Sequence, residues 1–150
     1  MYEDNFTKGF TIFEVLIVIG ISTLLIALTA PMGFRFYQVQ VADETTVGVL
    51  SALQSATREA RLGKNDHAFG IKFLSDRYVI FEGDQYTARI PAQDQTYALP
   101  LGTSIGSTTD EIVFAKVTGI PSATGTFSIG LYGVTHMIAV NSFGMATQTN

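Results

Sequence analysis

An apolar run opens with Lys8-Gly9-Phe10-Thr11-Ile12-Phe13-Glu14 and continues without another charged residue to Ala30. A helix formed by the 21 residues 10–30 is about 30 Å long, which matches the hydrocarbon core of one bilayer. Glu14 interrupts the run near its start, and an unpaired charge at the middle of a bilayer costs roughly 2.5–3.5 kcal/mol. A carboxylate in such a segment indicates a functional role that depends on its partner.

A partner for Glu14 is created if the chain is cut after Gly9. Phe10 then acquires a free ammonium group four residues before the carboxylate and close to its depth in the membrane. A secretory signal peptide is excluded as a description, because in such peptides the cleavage site follows the apolar run. Here the candidate site precedes the run, so the hydrophobic helix stays on the mature protein.

Lys8-Gly9-Phe10-Thr11, followed by Glu14 and an aliphatic run that ends at Pro31, resembles the start of type IV pilins and of the pseudopilins of type II secretion. The resemblance implies that a prepilin peptidase cuts between Gly9 and Phe10, and that Phe10 is then N-methylated. It also implies that Glu14 pairs with the terminal amine of a neighbouring subunit during filament assembly.

The chain is therefore expected to have three segments. Residues 1–9 are a cleaved leader, residues 10–31 a transmembrane and filament-core helix, and residues 32–150 a globular pilin-like domain. Pro31 removes one helical hydrogen bond and clashes with the carbonyl four residues earlier, so we predict a helix kink or a local melt over residues 27–33. Alternatively, Pro31 only marks the end of the membrane span, and both interpretations can hold together.

Beyond Pro31 the helix is predicted to resume and to run to about Leu62, where Gly63 favours a stop. Its apolar side chains form a narrow stripe, and polar residues fill much of the other side. The stripe consists of Ala42, Val49, Leu53, Ala56 and Ala60.

After Leu62 the hydrophobic period changes from helical spacing to two, which indicates β-strands. Phe69, Ile71 and Phe73 form the first strand, and residues 78–82 complete a hairpin. Further strands are predicted at residues 97–101, 112–117, 126–131, 136–141 and 145–148, with loops at 102–109 and 119–125. One long helix followed by antiparallel strands is an α+β fold, and it is also the pilin architecture.

The C-terminal half resembles the GspH/FimT group of minor pseudopilins and minor pilins. Some FimT-type pilins bind DNA through a basic C-terminal segment, but this chain has no Lys or Arg after Lys116, so that function does not carry over. The features that carry the resemblance are the helix end at residues 56–61, Ile112-Val113-Phe114, Gly119, Ile138-Ala139-Val140 and Gly144.

Composition limits the remaining functions. The chain has 150 residues, which allow one anchor and one modest domain. It has no cysteine, so the domain needs a core that is stable without disulfides. The formal net charge is −4, and no basic stripe suited to phosphate is present, so nucleic acid is not an expected partner.

No arrangement of residues predicts catalysis, a metal or a cofactor. His67 and His136 are expected to have structural roles, and three acidic residues beside loops are expected to be solvated rather than to bind calcium. Most aromatic residues should lie in the core, with three tyrosines as candidates for a contact surface. The acidic residues are Asp94, Asp110 and Glu111, and the tyrosines are Tyr86, Tyr97 and Tyr132.

The sequence thus predicts a minor pilin or pseudopilin subunit that acts by assembly or initiation. Its expected partners are the prepilin peptidase, other subunits bound through the N-terminal helix, and the inner-membrane assembly platform. The resemblance places the N-terminus in the cytoplasm and the domain outside it, since Lys8 and Arg35 balance under the positive-inside rule. Two alternatives remain: a binding module at a filament tip for a protein, surface or DNA, and a membrane-tethered domain that never polymerises.

Overall fold

The computed structural model describes residues 9–107 and 109–149, so most of the predicted leader, residues 1–8, lies outside the described residues. One long helix precedes eight strands, and this order confirms the predicted α+β fold. The elements are α1 (Ile12–Arg61), β1 (Phe69–Phe73), β2 (Arg77–Glu82), β3 (Gln95–Ala98), β4 (Ser104–Gly106), β5 (Glu111–Phe114), β6 (Gly125–Leu131), β7 (Val134–Val140) and β8 (Ala146–Thr149).

Helix α1 is continuous through Pro31. Residues 27–33 are all helical, so the predicted local melt is wrong, whereas the kink stays a prediction. Proline removes a single i→i−4 bond, and the bonds on either side maintain the helix. The helix ends at Arg61, one residue before the predicted end, and Gly63 follows in the left-handed conformation with φ +60°.

The chain divides into two compact units at Tyr37/Gln38, and the second unit contains all the strands. These strands form two antiparallel sheets, ordered β3-β2-β1-β5 and β4-β6-β7-β8. Strand β4 lies inside the segment 102–109 that was predicted to be a loop. It has no hydrophobic alternation, and it pairs with β6 by placing Ser104 opposite Gly130 and Gly106 opposite Ser128.

The core of this second unit lies between α1 and both sheets. All five residues of the predicted apolar stripe are buried. The large side chains around them are fully buried, and each contributes about 1.5–3 kcal/mol relative to an exposed position. These include Ile71, Ile112, Phe114, Ile129 and Ile138.

The other face of the β1–β2 pair is also covered, and β2 is buried on both faces from Tyr78 to Glu82. Phe81 is fully buried there, and the ring of Tyr86 packs against it edge-to-face with centroids 5.5 Å apart. The backbone N–H of Tyr86 donates to Glu111 Oε1 at 2.9 Å, and this bond holds the covering segment on the sheet.

Tyr78 on β2 is a buried tyrosine whose ionisation should make the stability of the domain depend on alkaline pH. Its ring stacks on Tyr97 with centroids 5.1 Å apart, and burial, with a smaller effect of Tyr97, raises the pKa of Tyr78 above 10.0. Its stabilising contribution is therefore present below the unfolded pKa and is lost as pH rises through the folded pKa. We expect Tyr78→Phe to flatten the loss of stability above pH 10, in urea unfolding of the detergent-solubilised chain. Tyr97→Phe is the control with a smaller expected effect, and a Tyr78→Phe profile identical to wild type would contradict the prediction.

Candidate functional site

The start of α1 is set by a side-chain cap. Thr11 Oγ1 accepts a hydrogen bond from the backbone N–H of Glu14 at 3.2 Å, and Val15 donates the first main-chain bond to the Thr11 carbonyl, also at 3.2 Å. Thr11 and Glu14 have the spacing of a capping box. Gly9 and Phe10 lie just before the helix and are exposed, so a protease could reach the bond between them without unwinding α1.

Glu14 lies in the first turn of α1 with its side chain exposed. No Lys, Arg or His in residues 9–107 and 109–149 lies within 4.0 Å of its carboxylate. The positive end of the helix dipole stabilises a negative charge at this position. Within the described residues, Glu14 thus lies at the favourable end of the helix dipole without a basic side chain beside it.

The apolar half of α1 has no covering layer within its own unit. Every residue from 9 to 37 is exposed, including large side chains such as Phe13, Leu24 and Ile26. By length and composition this helix could cross a membrane. A helix that is apolar on all sides needs an apolar environment, supplied by lipid or by other helices.

At its C-terminal end, α1 contacts the turn between β7 and β8. Thr57 Oγ1 donates to the Gly144 carbonyl at 3.0 Å, and Arg61 donates to the Phe143 carbonyl. Gly144, in the β7–β8 turn, has φ +76°, and Gly119, in the β5–β6 loop, has φ +67°. The two glycines picked out in the sequence thus meet where helix, loop and turn come together.

A side chain at residue 144 should be strongly destabilising. A Cβ atom there would overlap the Gly119 carbonyl oxygen and would lie 3.2 Å from Thr57 Cγ2. We expect Gly144→Ala to lower the free energy of unfolding by about 3 kcal/mol or more, from the steric overlap and the left-handed strain together. The control is Gly102→Ala, which also has positive φ but open space around it, and should cost about 1 kcal/mol. Equal losses in urea unfolding would show that close approach is not the reason for glycine at 144.

The two histidines lie beside carboxylates. His67 Nε2 is 3.9 Å from Oε1 of the buried Glu82, whose other oxygen accepts a 2.8 Å bond from Asn65. His136 Nε2 is 2.9 Å from Asp43 Oδ1, although the angle is poor for a hydrogen bond. Both imidazole rings thus lie near a carboxylate of the same domain, and their structural role stays a prediction.

The acidic residues considered for calcium each lie beside a cation. Asp94 is 2.7 Å from Arg89 Nε, Asp110 is 2.7 Å from Lys72 Nζ, and Glu111 is 3.9 Å from the same nitrogen. The bond from Lys72 lowers the pKa of Asp110. Within residues 9–107 and 109–149 no three His, Asp or Glu residues form a group that could hold a metal ion.

The three candidate tyrosines differ in exposure. Tyr97 on β3 and Tyr132 in the β6–β7 turn are exposed. Tyr86 is only half-exposed, and the Arg89 guanidinium lies 3.9 Å from its ring centroid. Part of its ring covers the sheet, and its role as a contact residue stays a prediction.

Two features were missed from the sequence. The Thr11 cap could have been found from the spacing Thr-x-x-Glu, which was interpreted only as part of a cleavage motif. From the sequence, Arg58 and Arg61 were only two of the polar residues on the side of the helix away from the stripe, yet they line a groove beside the β7–β8 turn. No local pattern reveals that groove, because its two walls are 82 residues apart at the Arg61–Phe143 contact.

Comparison with known proteins gives a structural relative only. No protein-family model and no curated protein sequence matches the chain. A similar solved structure is that of the minor pseudopilin EpsH from the type 2 secretion system of Vibrio cholerae, with a TM-score of 0.53 and 14% sequence identity. The match covers 72% of this chain and 95% of the EpsH chain. The α+β arrangement described above is therefore the fold of a minor pseudopilin.

Proposed function

We propose that the chain is a minor pilin or pseudopilin subunit, cut by a prepilin peptidase and assembled into a pseudopilus or type IV pilus through its N-terminal helix. The observation that carries the proposal is the uncovered apolar half of α1, which has a single carboxylate, Glu14, in its first turn. The pseudopilin-like domain on the same helix supports it. Assembly or initiation, not catalysis, is the activity of such a subunit.

Cleavage would prepare the assembly contact. Cutting after Gly9 gives Phe10 a terminal ammonium group, which methylation leaves positively charged. In a packed filament this group would face Glu14 of a neighbouring subunit. Two unit charges about 4 Å apart attract by about 4 kcal/mol at an effective dielectric near 20, which offsets much of the desolvation cost. The pair would also fix the axial register of the two helices.

The proposal sets the location of each segment. Residues 1–9 face the cytoplasm, where the peptidase cuts, residues 10–31 cross the inner membrane, and residues 32–150 form the domain outside the cytoplasm. Contact with the inner-membrane assembly platform then transfers the apolar helix from lipid to the filament core. Both environments satisfy its exposed apolar surface, so the transfer exchanges one apolar contact for another.

Cysteine crosslinking in cells tests the proposal, because the chain has no cysteine of its own. Leu16→Cys places one thiol on the apolar helix, and a co-expressed pilin subunit carries a cysteine at the matching position. We expect crosslinked subunits in cells that assemble filaments and few in cells that lack the assembly platform. The control is Leu101→Cys, in an exposed loop of the domain. Equal crosslinking of Leu16→Cys with and without the platform would favour a tether that never polymerises.

A further inference from the structure

A groove of about 400 Å³ lies between the last turns of α1 and the β7–β8 turn. Gln54, Arg58 and Leu62 line its helix side, and Met145 and Ala146 line its strand side. It is separate from the apolar half of α1, on which the proposed assembly contact depends.

The groove has a preformed frame. Gln54 Nε2 donates to the Ala146 carbonyl at 3.2 Å, Thr57 donates to Gly144, and Arg61 donates to Phe143. Three side chains of α1, spaced three and four residues apart, therefore bond to carbonyl groups of the turn and of the first residue of β8. Because these carbonyls are already satisfied, a ligand in the groove would meet the side chains that remain, which are apolar or basic.

Large apolar side chains are exposed at this end of the domain. Leu62 is 76% exposed, Phe143 is 69% exposed and Met145 is 55% exposed. Val117 and Ile120, in the adjoining β5–β6 loop, are also exposed. Grouped apolar exposure next to a concave surface is typical of a protein-binding site, whereas single exposed apolar residues are ordinary.

The charge of the groove is unusual for this domain. Arg58 and Arg61 have no carboxylate within 4.0 Å in the described residues, and Arg58 makes only a 3.4 Å bond to Ser55. Every other Lys or Arg between residues 38 and 149 is paired with an acid. These pairs are Lys64–Glu59, Lys72–Asp110, Arg77–Asp76, Arg89–Asp94 and Lys116–Asp66.

The helix dipole explains only part of this arrangement. Basic residues are favoured in the last turn of any helix, which accounts for the sign of the charge. It does not account for the exposed Leu62 and Met145 on either side of the groove. Arg58 and Arg61, which lie between apolar walls and have no acidic partner within 4.0 Å in the described residues, are complementary to a ligand with a carboxylate beside apolar groups.

We propose that this groove binds a polypeptide segment of a partner protein, with a carboxylate against Arg58 and Arg61 and apolar side chains against Leu62 and Met145. Two arginines are too few to follow a nucleic acid backbone, which requires a longer cationic stripe. A phosphate backbone would also leave the apolar walls without a partner. The proposal concerns a different surface from the filament contact and does not depend on it.

Fluorescence anisotropy on the full chain in detergent micelles tests the proposal. The probe is a short labelled peptide of alternating Glu and Leu, compared with the same peptide carrying Gln in place of Glu and with a single-stranded oligonucleotide. We expect the Glu peptide to bind at least about tenfold more tightly than the Gln peptide, as for a charge-assisted hydrogen bond in a partly desolvated site. Arg58→Ala should remove about tenfold of that affinity.

Matched variants make the result specific. Arg77→Ala removes an arginine that is paired with Asp76 on β2, and it should leave binding unchanged. Arg58→Glu should reject the Glu peptide and bind a Lys/Leu peptide instead, which a misfolded variant could not do. The proposal is overturned if no peptide binds, if the Gln peptide binds equally well, if Arg58→Ala has no effect, or if the oligonucleotide binds more tightly than the Glu peptide.

Discussion

Glu14→Ala is expected to leave cleavage intact and to remove most of the protein from sheared filaments, by about tenfold or more. The carboxylate is the only charge in the apolar run after Lys8, and it has no cationic partner in the described residues of its own chain. Removing it would delete an attraction of about 4 kcal/mol and leave the ammonium of a neighbouring Phe10 unpaired in the filament core. The loss should therefore exceed that for a surface ion pair, which is about 0–1 kcal/mol.

Two further variants separate charge from other properties of Glu14. Glu14→Gln keeps the size and polarity of the side chain but should recover little incorporation, since it lacks the charge. Glu44→Ala is the matched control, because Glu44 is an exposed carboxylate of the same helix whose side chain accepts one bond, from Gln40 at 3.1 Å. It should assemble like wild type. Recovery of processed Glu14→Ala equal to wild type would show that Glu14 is not the assembly determinant.

Gly9→Val is expected to leave the protein at full length. A peptidase must bring its catalytic groups close to the backbone on both sides of the bond that it cuts, and a branched side chain at Gly9 would obstruct that approach. Gly9 has no neighbouring atom within 4 Å of a side chain placed there, so the folded domain should not change. Cleavage should be almost completely lost while the amount of folded protein is maintained.

The control for this prediction is Gly33→Ala, a change at another exposed glycine with open space around it. It lies beyond the apolar run and should be cleaved like wild type. Efficient cleavage of Gly9→Val at the same bond would contradict the assignment of Gly9 as the residue preceding the cut. Intact-mass measurement of membrane-extracted protein distinguishes these outcomes.

The sequence predicted the long helix and its buried stripe well, because both depend on local periodicity. Apolar residues at helical spacing lie on one side of a helix, and the structure buries each of the five. The fold class followed from the change of period after Leu62. These features are encoded within a few turns or a few strand residues, which is the range over which patterns are informative.

Features that depend on distant residues were not predicted. Strand β4 pairs with β6, where Gly130 lies opposite Ser104, and nothing inside residues 102–109 signals that pairing. The cover over Phe81 comes from a loop around Tyr86, whose ring lies against the Arg89 guanidinium and whose backbone N–H donates to Glu111. Both features depend on contacts that the local spacing of hydrophobic residues does not reveal.

The candidate site divides in the same way. Gly9, Phe10 and Glu14 lie close together in the chain, so a short motif identifies them. The structure adds the Thr11 cap, which fixes the start of the helix beside them. The groove at Arg58 lies between α1 and the β7–β8 turn, which are far apart in the sequence. Its unpaired charges are evident only by comparison with the five other Lys and Arg residues between 38 and 149, each of which lies beside an acid.

The most direct test of the proposed function is the mass of the wild-type protein in the sheared filament fraction of peptidase-positive cells. We expect a chain that begins at Phe10, lacks residues 1–9, and carries one added methyl group on the terminal amine. Fragmentation of the N-terminal peptide locates that methyl group on Phe10. A chain that still begins at Met1, or a processed chain that remains in the membrane fraction while other subunits are recovered in filaments, would contradict the proposed function.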